Sequence, residues 1–293
     1  MPNPINITPN TTIESGQQVD GSIGRLLLQL GKITPTEADK IAKAQQEHHL
    51  RFGDAAMKLG LITQSDISQV LALQFDYPYL QPGQGDYSSE LIAAYEPFTP
   101  QVEALRALRS QIMMRWFNEG YRSLAIVGAN QGEGTSRLAA NLAIVFSQLG
   151  QKTLLIDANL RNPSQHQLFN LKEKRGLSDI LAERADMSVI SKIVSFVDLS
   201  VLGAGTIPPN PQELLGRPNF SALMKHVVGQ YDIVLVDTTP TAVTMDAQAT
   251  IARCGGALLV SRLNHTKVSD VASMRDQILA TGATIVGAVI NEF

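Results

Sequence analysis

The segment Ile126-Val-Gly-Ala-Asn-Gln-Gly-Glu-Gly-Thr-Ser136 runs from an apolar strand into a glycine-rich turn and then into the helix-period stretch 137–149. Strand, glycine loop and helix in that order make a phosphate cradle: loop N–H groups converge on an anion and the helix N-terminus adds a favourable dipole. The full rule is G-x-x-x-x-G-K-[ST], with the lysine on the β/γ-phosphates and the hydroxyl on Mg²⁺. Gly134 and Ser136 stand in their places, but Ala129 occupies the first glycine position and Thr135 the lysine position. The nucleotide-binding candidates are thus Gly132, Glu133, Gly134, Thr135 and Ser136, a cradle without its cation.

Composition frames what can surround such a loop. A chain of 293 residues, 44% hydrophobic, buries one large core or two smaller ones. A net charge of −3 argues against nucleic acid as a partner, which normally selects a basic stripe. The single Cys254 excludes a disulfide framework and fits a reducing compartment. No apolar run reaches the roughly 18 residues of a membrane span. The N-terminus lacks the basic start and apolar core of a signal peptide. The expectation is a cytoplasmic chain with no direct membrane insertion.

Four stretches differ in pattern. Residues 1–20, rich in Asn, Thr and Pro, read as a flexible tail. Residues 21–80 carry a repeat in which Gly24 maps to Gly53, Gly31 to Gly60, Ile33 to Ile62 and Gln45 to Gln74. In each copy a short apolar helix ends at a capping glycine, and Thr34 or Thr63 opens the next helix. Glu37 and Asp66 stand three residues later, as a capping box requires. Residues 81–97, with Pro and Gly near their start, read as a linker. From residue 98 the pattern is β/α. Strands are expected at 123–127, 153–156, 199–202, 233–236, 257–260 and 285–290, and the helix-period stretches between them include 137–149, 219–228 and 267–279. Near-continuous apolar strands alternating with helices predict an α/β fold, a mostly parallel P-loop sheet with helices on both faces, plus the small helical N-terminal domain.

Two strands end in carboxylates: Leu154-Leu-Ile-Asp157 and Val234-Leu-Val-Asp237. Mg²⁺ wants few hard oxygen ligands and keeps most of its waters, so strand-tip acids beside a phosphate loop suit it. Ser136, Asp157 and Asp237 are the metal candidates. A single strand-end Asp is more often a helix cap; two on strands expected to flank the loop favour metal and nucleotide.

These residues carry a resemblance. Residues 98–293 resemble the cytoplasmic domain of bacterial tyrosine kinases, relatives of the MinD/ParA group of P-loop ATPases. The similarity runs through Gly-Glu-Gly134, Leu154–Pro163, Pro208–Leu215, the Asp237 strand and Val289-Ile-Asn-Glu-Phe293. The whole chain resembles the EpsG-type kinase component of exopolysaccharide biosynthesis loci. The resemblance implies ATP or ADP with Mg²⁺, and catalytic roles for Asp157, Arg161 and Asp237. It also implies adenine recognition at Asn291, and a homo-oligomer interface at Glu103, Arg106 and Arg109, the E-x-x-R-x-x-R helix. It further implies partnership with a membrane chain-length determinant (Wzz-like) protein, placing the chain at the inner membrane through that partner. Two positions depart from the family pattern: Thr135 replaces the lysine, and Asn159 replaces the second acid of D-x-D-x-R. The chain ends at Phe293 without a tyrosine cluster, so tail autophosphorylation is not expected. A non-catalytic nucleotide-sensing or cyclic di-GMP-sensing adaptor is the competing class. A MinD-like positioning ATPase fits less well, because residues 129–132 lack that group's extra lysine.

The repeat resembles the MshEN-type N-terminal domain of GspE-like assembly ATPases of type II secretion and type IV pili. Some of those bind cyclic di-GMP through paired R-L-G…G…L…L…Q motifs. The ligand candidates implied are Gly24, Gly31, Arg51, Gly53, Gly60 and Gln74. The second copy matches, whereas the first has Ser22 at the arginine position and Ala38 and Ala42 at large apolar ones. Read without the resemblance, the repeat is a protein-docking helical bundle.

Overall fold

The computed structural model describes residues 23–64, 66, 67, 70, 71, 79, 80 and 84–292. The expected tail at 1–20, Ser22, Gln74 and linker residues 81–83 lie outside them. The chain divides into two compact units, residues 1–77 and 78–293.

In the smaller unit the repeat takes the expected shape. Helices span Ile23–Gln29, Pro35–His48 and Phe52–Lys58. Gly31 and Gly60 adopt φ of 65° and 68°, the left-handed conformation that closes a helix and that glycine reaches without steric cost. Both capping boxes form. The Thr34 and Thr63 hydroxyls accept from the N–H groups of Glu37 and Asp66 at 3.3 and 3.2 Å, and each acid reaches back to its threonine's N–H. The two copies are joined by Lys32 Nζ to Asp66 Oδ1 at 2.7 Å, over a core that includes Leu27, Ile41, Phe52 and Val70.

The larger unit holds a seven-stranded sheet in the order β3-β4-β2-β5-β1-β6-β7. The strands are β1 (Ser123–Gly128), β2 (Thr153–Asp157), β3 (Ser191–Lys192), β4 (Leu199–Leu202), β5 (Ile233–Asp237), β6 (Gly256–Arg262) and β7 (Thr284–Asn291). Every expected strand is present. All pairings are parallel except β3 with β4. The two-residue β3 has too little pattern to be read in sequence. Alternate residues pack into two separate apolar layers: Leu124 and Ile126 on one face of β1, Ala125 and Val127 on the other. Helices therefore cover both faces, as continuous apolar strands require.

The stretch expected to be a linker departs from that reading. Leu91, Ala93 and Ala94 are fully buried in the larger unit's core, within and beside a short helix at Ile92–Tyr95. Buried Asn141, on the helix Thr135–Ser147 that follows the phosphate loop, holds them there. Its Oδ1 accepts from Ala93 N–H, and its Nδ2 donates to the Glu90 carbonyl, both at 2.9 Å. Residues 84–97 are thus part of the nucleotide-loop unit. Gly85 lies in a turn with φ of 82°, and the apolar run after it is a buried element.

Candidate nucleotide site

β1 ends at Gly128 and the next helix starts at Thr135, so the loop between them lies beyond the carboxyl end of a central strand. Gly132 and Gly134 have φ of 80° and 77°, the sharp turns that aim successive N–H groups inward. A cavity of about 510 Å³ opens over the loop, walled by residues 130–137 together with Asn159, Arg161, Thr238, Thr239 and Arg262. Thr135 is buried and its hydroxyl packs back onto Gly128. The neutral side chain at the lysine position therefore braces the loop.

Glu133 is also a brace. It is 1% exposed, and its carboxylate accepts from Ala129 N–H at 2.7 Å and from the Thr266 hydroxyl at 2.6 Å. Asn130 Nδ2 adds a longer contact at 3.3 Å. Asn291 donates its amide to the Glu133 carbonyl at 2.8 Å. It does not line the phosphate cavity; it lines a neighbouring groove of about 500 Å³ with Leu105, Leu108, Leu138 and Ile290. Gly134 and Arg137 border both spaces.

Under the cavity stand the two strand-tip acids. β2 and β5 are neighbours in register, which places Asp157 directly beside Asp237, both fully buried. Asp157 accepts three backbone N–H groups: Ser164 and Gln165 at 3.0 Å, and Asn159 at 3.2 Å. Asp237 Oδ2 accepts Gln165 Nε2 at 2.9 Å, and the same amide donates to the Ser136 carbonyl at 3.0 Å. Burial pushes the pKa of both acids above the usual carboxylate range, and the Asp237 charge raises Asp157 further. The Ser136 hydroxyl and the Gln165 amide pull Asp237 partly back.

Asp237 Oδ1, Gln165 Oε1 and Ser164 Oγ are buried without a hydrogen-bond partner. Unpaired buried acceptors are costly, and the waters around a divalent ion are donors that satisfy them. The donor set is hydroxyl, carboxylate and amide oxygen, all hard ligands, and it fits Mg²⁺. Among the described residues no group of three His, Cys, Asp or Glu side chains could hold a metal alone.

Three residues of this network escaped the sequence reading. Gln165 carries no motif signal; only the fold brings it between Ser136 and Asp237. Asp246, fully buried, accepts from Arg161 Nε at 2.6 Å and Nη2 at 3.3 Å, so Arg161 is clamped bidentately from 85 positions away. Arg262 reaches the loop from β6. Asn159, the substituted acid position, accepts from Asn162 N–H and the Thr239 hydroxyl, both at 3.2 Å, and so serves to fix its own loop.

The other candidates are placed as follows. On the helix Pro100–Arg115, Glu103 is exposed and paired with Arg106, while Arg109 Nη1 turns inward to the Val145 carbonyl at 2.7 Å. Of the three, Glu103 is exposed and Arg106 and Arg109 are half-buried. In the smaller unit Arg51, Gly31 and Gly60 are exposed, whereas Gly24 and Gly53 are buried. A Cβ on Gly53 would lie 2.9 Å from Ile67 Cδ1, so packing alone accounts for that glycine.

A family model described as cellulose biosynthesis protein BcsQ matches residues 121–274. The chain is 32% identical over 204 residues to putative tyrosine-protein kinase CapB of Staphylococcus aureus, covering 70% of this chain and 90% of CapB. It is 35% identical over 201 residues to tyrosine-protein kinase YwqD of Bacillus subtilis (strain 168), covering 69% and 85%. The solved kinase domain of Escherichia coli tyrosine kinase ETK superposes with a TM-score of 0.67 at 33% identity, over 69% of this chain and 79% of that one. Some relatives are longer: the chain spans 28% of Escherichia coli etk. The septum site-determining protein MinD of Pyrococcus horikoshii OT3, at 21% identity and a TM-score of 0.52, shares the fold alone.

Proposed function

The chain belongs to the bacterial tyrosine kinase family of P-loop ATPases, and on that premise we propose that it is a Mg-nucleotide-binding regulator of exopolysaccharide chain length or export. The observation that carries the reading is the buried pair Asp157 and Asp237, with an unpaired Oδ1, lying beneath a glycine-shaped loop. Loop N–H groups and the Ser136 hydroxyl are assigned to the phosphates and Mg²⁺, and adenine to the apolar groove beside Asn291. When bound, Mg²⁺ supplies charge stabilisation to phosphate oxygens. Asp237 and Asp157 hold its water shell, and Gln165 holds Asp237 in place.

With Thr135 at the lysine position, phosphoryl transfer is slow. Removing one such stabilising donor costs about 10²–10³ in rate. The favoured reading is accordingly a nucleotide sensor with residual kinase chemistry, and Asn159, absorbed into its own loop, supports it. Incubation of purified protein with Mg-ATP and phosphotyrosine detection tests this: a trace signal is expected. Robust transfer abolished by Asp157→Ala would overturn the sensor reading in favour of an active kinase.

The partner is proposed to be a separate membrane chain-length determinant, because short relatives such as CapB are nearly spanned by the matched region. Self-association is proposed through Glu103 and Arg106, and sedimentation of Arg106→Ala tests it. For the smaller unit the proposal is cyclic di-GMP at exposed Arg51, tested by a ligand-dependent rise in Tm of the full chain that Arg51→Ala removes.

A further inference from the structure

We infer that Glu90 recognises the ribose of the bound nucleotide, accepting hydrogen bonds from its 2′- and 3′-hydroxyls. The inference rests on the nucleotide-binding reading above, with phosphates over the loop and adenine in the groove beside Asn291. Ribose joins phosphate to base, so it occupies the place where the two spaces meet.

Among the described residues, three border both the phosphate cavity and the groove: Glu90, Gly134 and Arg137. A ribose presents two adjacent hydroxyl donors, which require an acceptor. Gly134 has no side chain, and a guanidinium such as that of Arg137 only donates. Asn141, on the groove wall, has its amide engaged. Its Oδ1 accepts from Ala93 N–H, and its Nδ2 donates to the carbonyls of Glu90 and Arg137, each at 2.9 Å. The Glu90 carboxylate is the acceptor at the junction. Its Oε1 lies 3.5 Å from Arg137 Nη1. An ionised carboxylate offers about four acceptor sites, so this long contact leaves room for both hydroxyls.

The backbone that carries Glu90 is fixed on both sides. Its N–H donates to Ser88 Oγ at 3.2 Å, and its carbonyl accepts from Asn141, on the helix that follows the phosphate loop. The acid precedes the loop in sequence, yet the loop's own helix sets its position. A fixed acceptor loses little further freedom when the sugar arrives. In dinucleotide-binding folds an acidic side chain likewise takes the ribose 2′-hydroxyl.

The test is calorimetric titration of the full chain with Mg-ADP and with Mg-2′,3′-dideoxy-ADP, on wild type, Glu90→Gln and Glu90→Ala, each checked for unchanged melting. The readout is the ratio of the two affinities, in which a changed field on the phosphates cancels. Wild type is expected to prefer Mg-ADP about tenfold, as hydrogen bonds to a charged acceptor imply. Glu90→Ala should bind both nucleotides alike. Glu90→Gln, whose amide oxygen still accepts, should keep part of the preference. A wild-type chain without the preference, or Glu90→Ala retaining it in full, would overturn the assignment while the nucleotide reading stands. A wild-type chain that binds no Mg-ADP would overturn both.

Discussion

Gln165 Nε2 joins the carbonyl of Ser136 to the carboxylate of Asp237, at 3.0 and 2.9 Å, so one buried amide links the helix after the glycine loop to the strand-tip acid of β5. Removing it takes a buried donor away from both acceptors. Gln165→Leu is expected to destabilise the chain by about 1–3 kcal/mol, the cost of leaving buried acceptors unmet. It should also weaken Mg-nucleotide binding. Denaturant unfolding with and without Mg-ADP reads both effects; a variant as stable as wild type would show that the amide bridge contributes nothing.

The buried acids set a pH dependence. Both have folded pKa values raised above the unfolded ones, so between those values the folded chain binds more protons and stability falls as pH rises. Their contribution is complete below the ordinary carboxylate range and is lost as pH climbs through the raised values. Without metal, Asp237→Asn should therefore raise Tm at pH 8, at about 2–4 °C per kcal/mol for a domain of this size. It should also flatten the slope of Tm against pH between 5 and 8. Lower Tm at pH 8 in the variant would contradict the desolvation argument.

Asp66 behaves in the opposite sense. Lys32 and Thr63 pull its pKa down to about 2. The folded state therefore gains stability above the unfolded carboxylate value and loses it as pH falls toward 2. Lys32→Ala should move acid loss of amide-exchange protection in residues 23–71 to higher pH. An unshifted acid transition would mean that the Lys32–Asp66 pair does not couple the two repeats.

Thr135→Lys restores a point charge at the phosphate position and is expected to tighten Mg-ADP binding about tenfold. Calorimetry checks it. The opposing term is steric, because Thr135 packs onto Gly128. Unchanged or weaker binding would mean that the loop is shaped around threonine.

The fold was legible because it is written locally. Alternating apolar strands, loop glycines and two capping boxes each announce themselves within a few residues. The site was legible where it sits on strand tips, at Asp157 and Asp237. It was not legible where the fold joins distant residues. Asp246 meets Arg161 across 85 positions, and Arg262 meets Gly132 across 130. Neither pairing leaves a spacing to read. The segment at 84–97 misled because its Pro and Gly residues lie next to a buried apolar run whose partner, Asn141, is about 50 residues away.

The central claim is that this loop binds nucleotide with Mg²⁺ despite lacking its lysine. Titration of Mg-ADP into the full chain tests it most directly. The account predicts saturable binding that disappears in EDTA and in Asp237→Ala. No binding by wild type at millimolar nucleotide, or binding indifferent to both Mg²⁺ and Asp237, would contradict it.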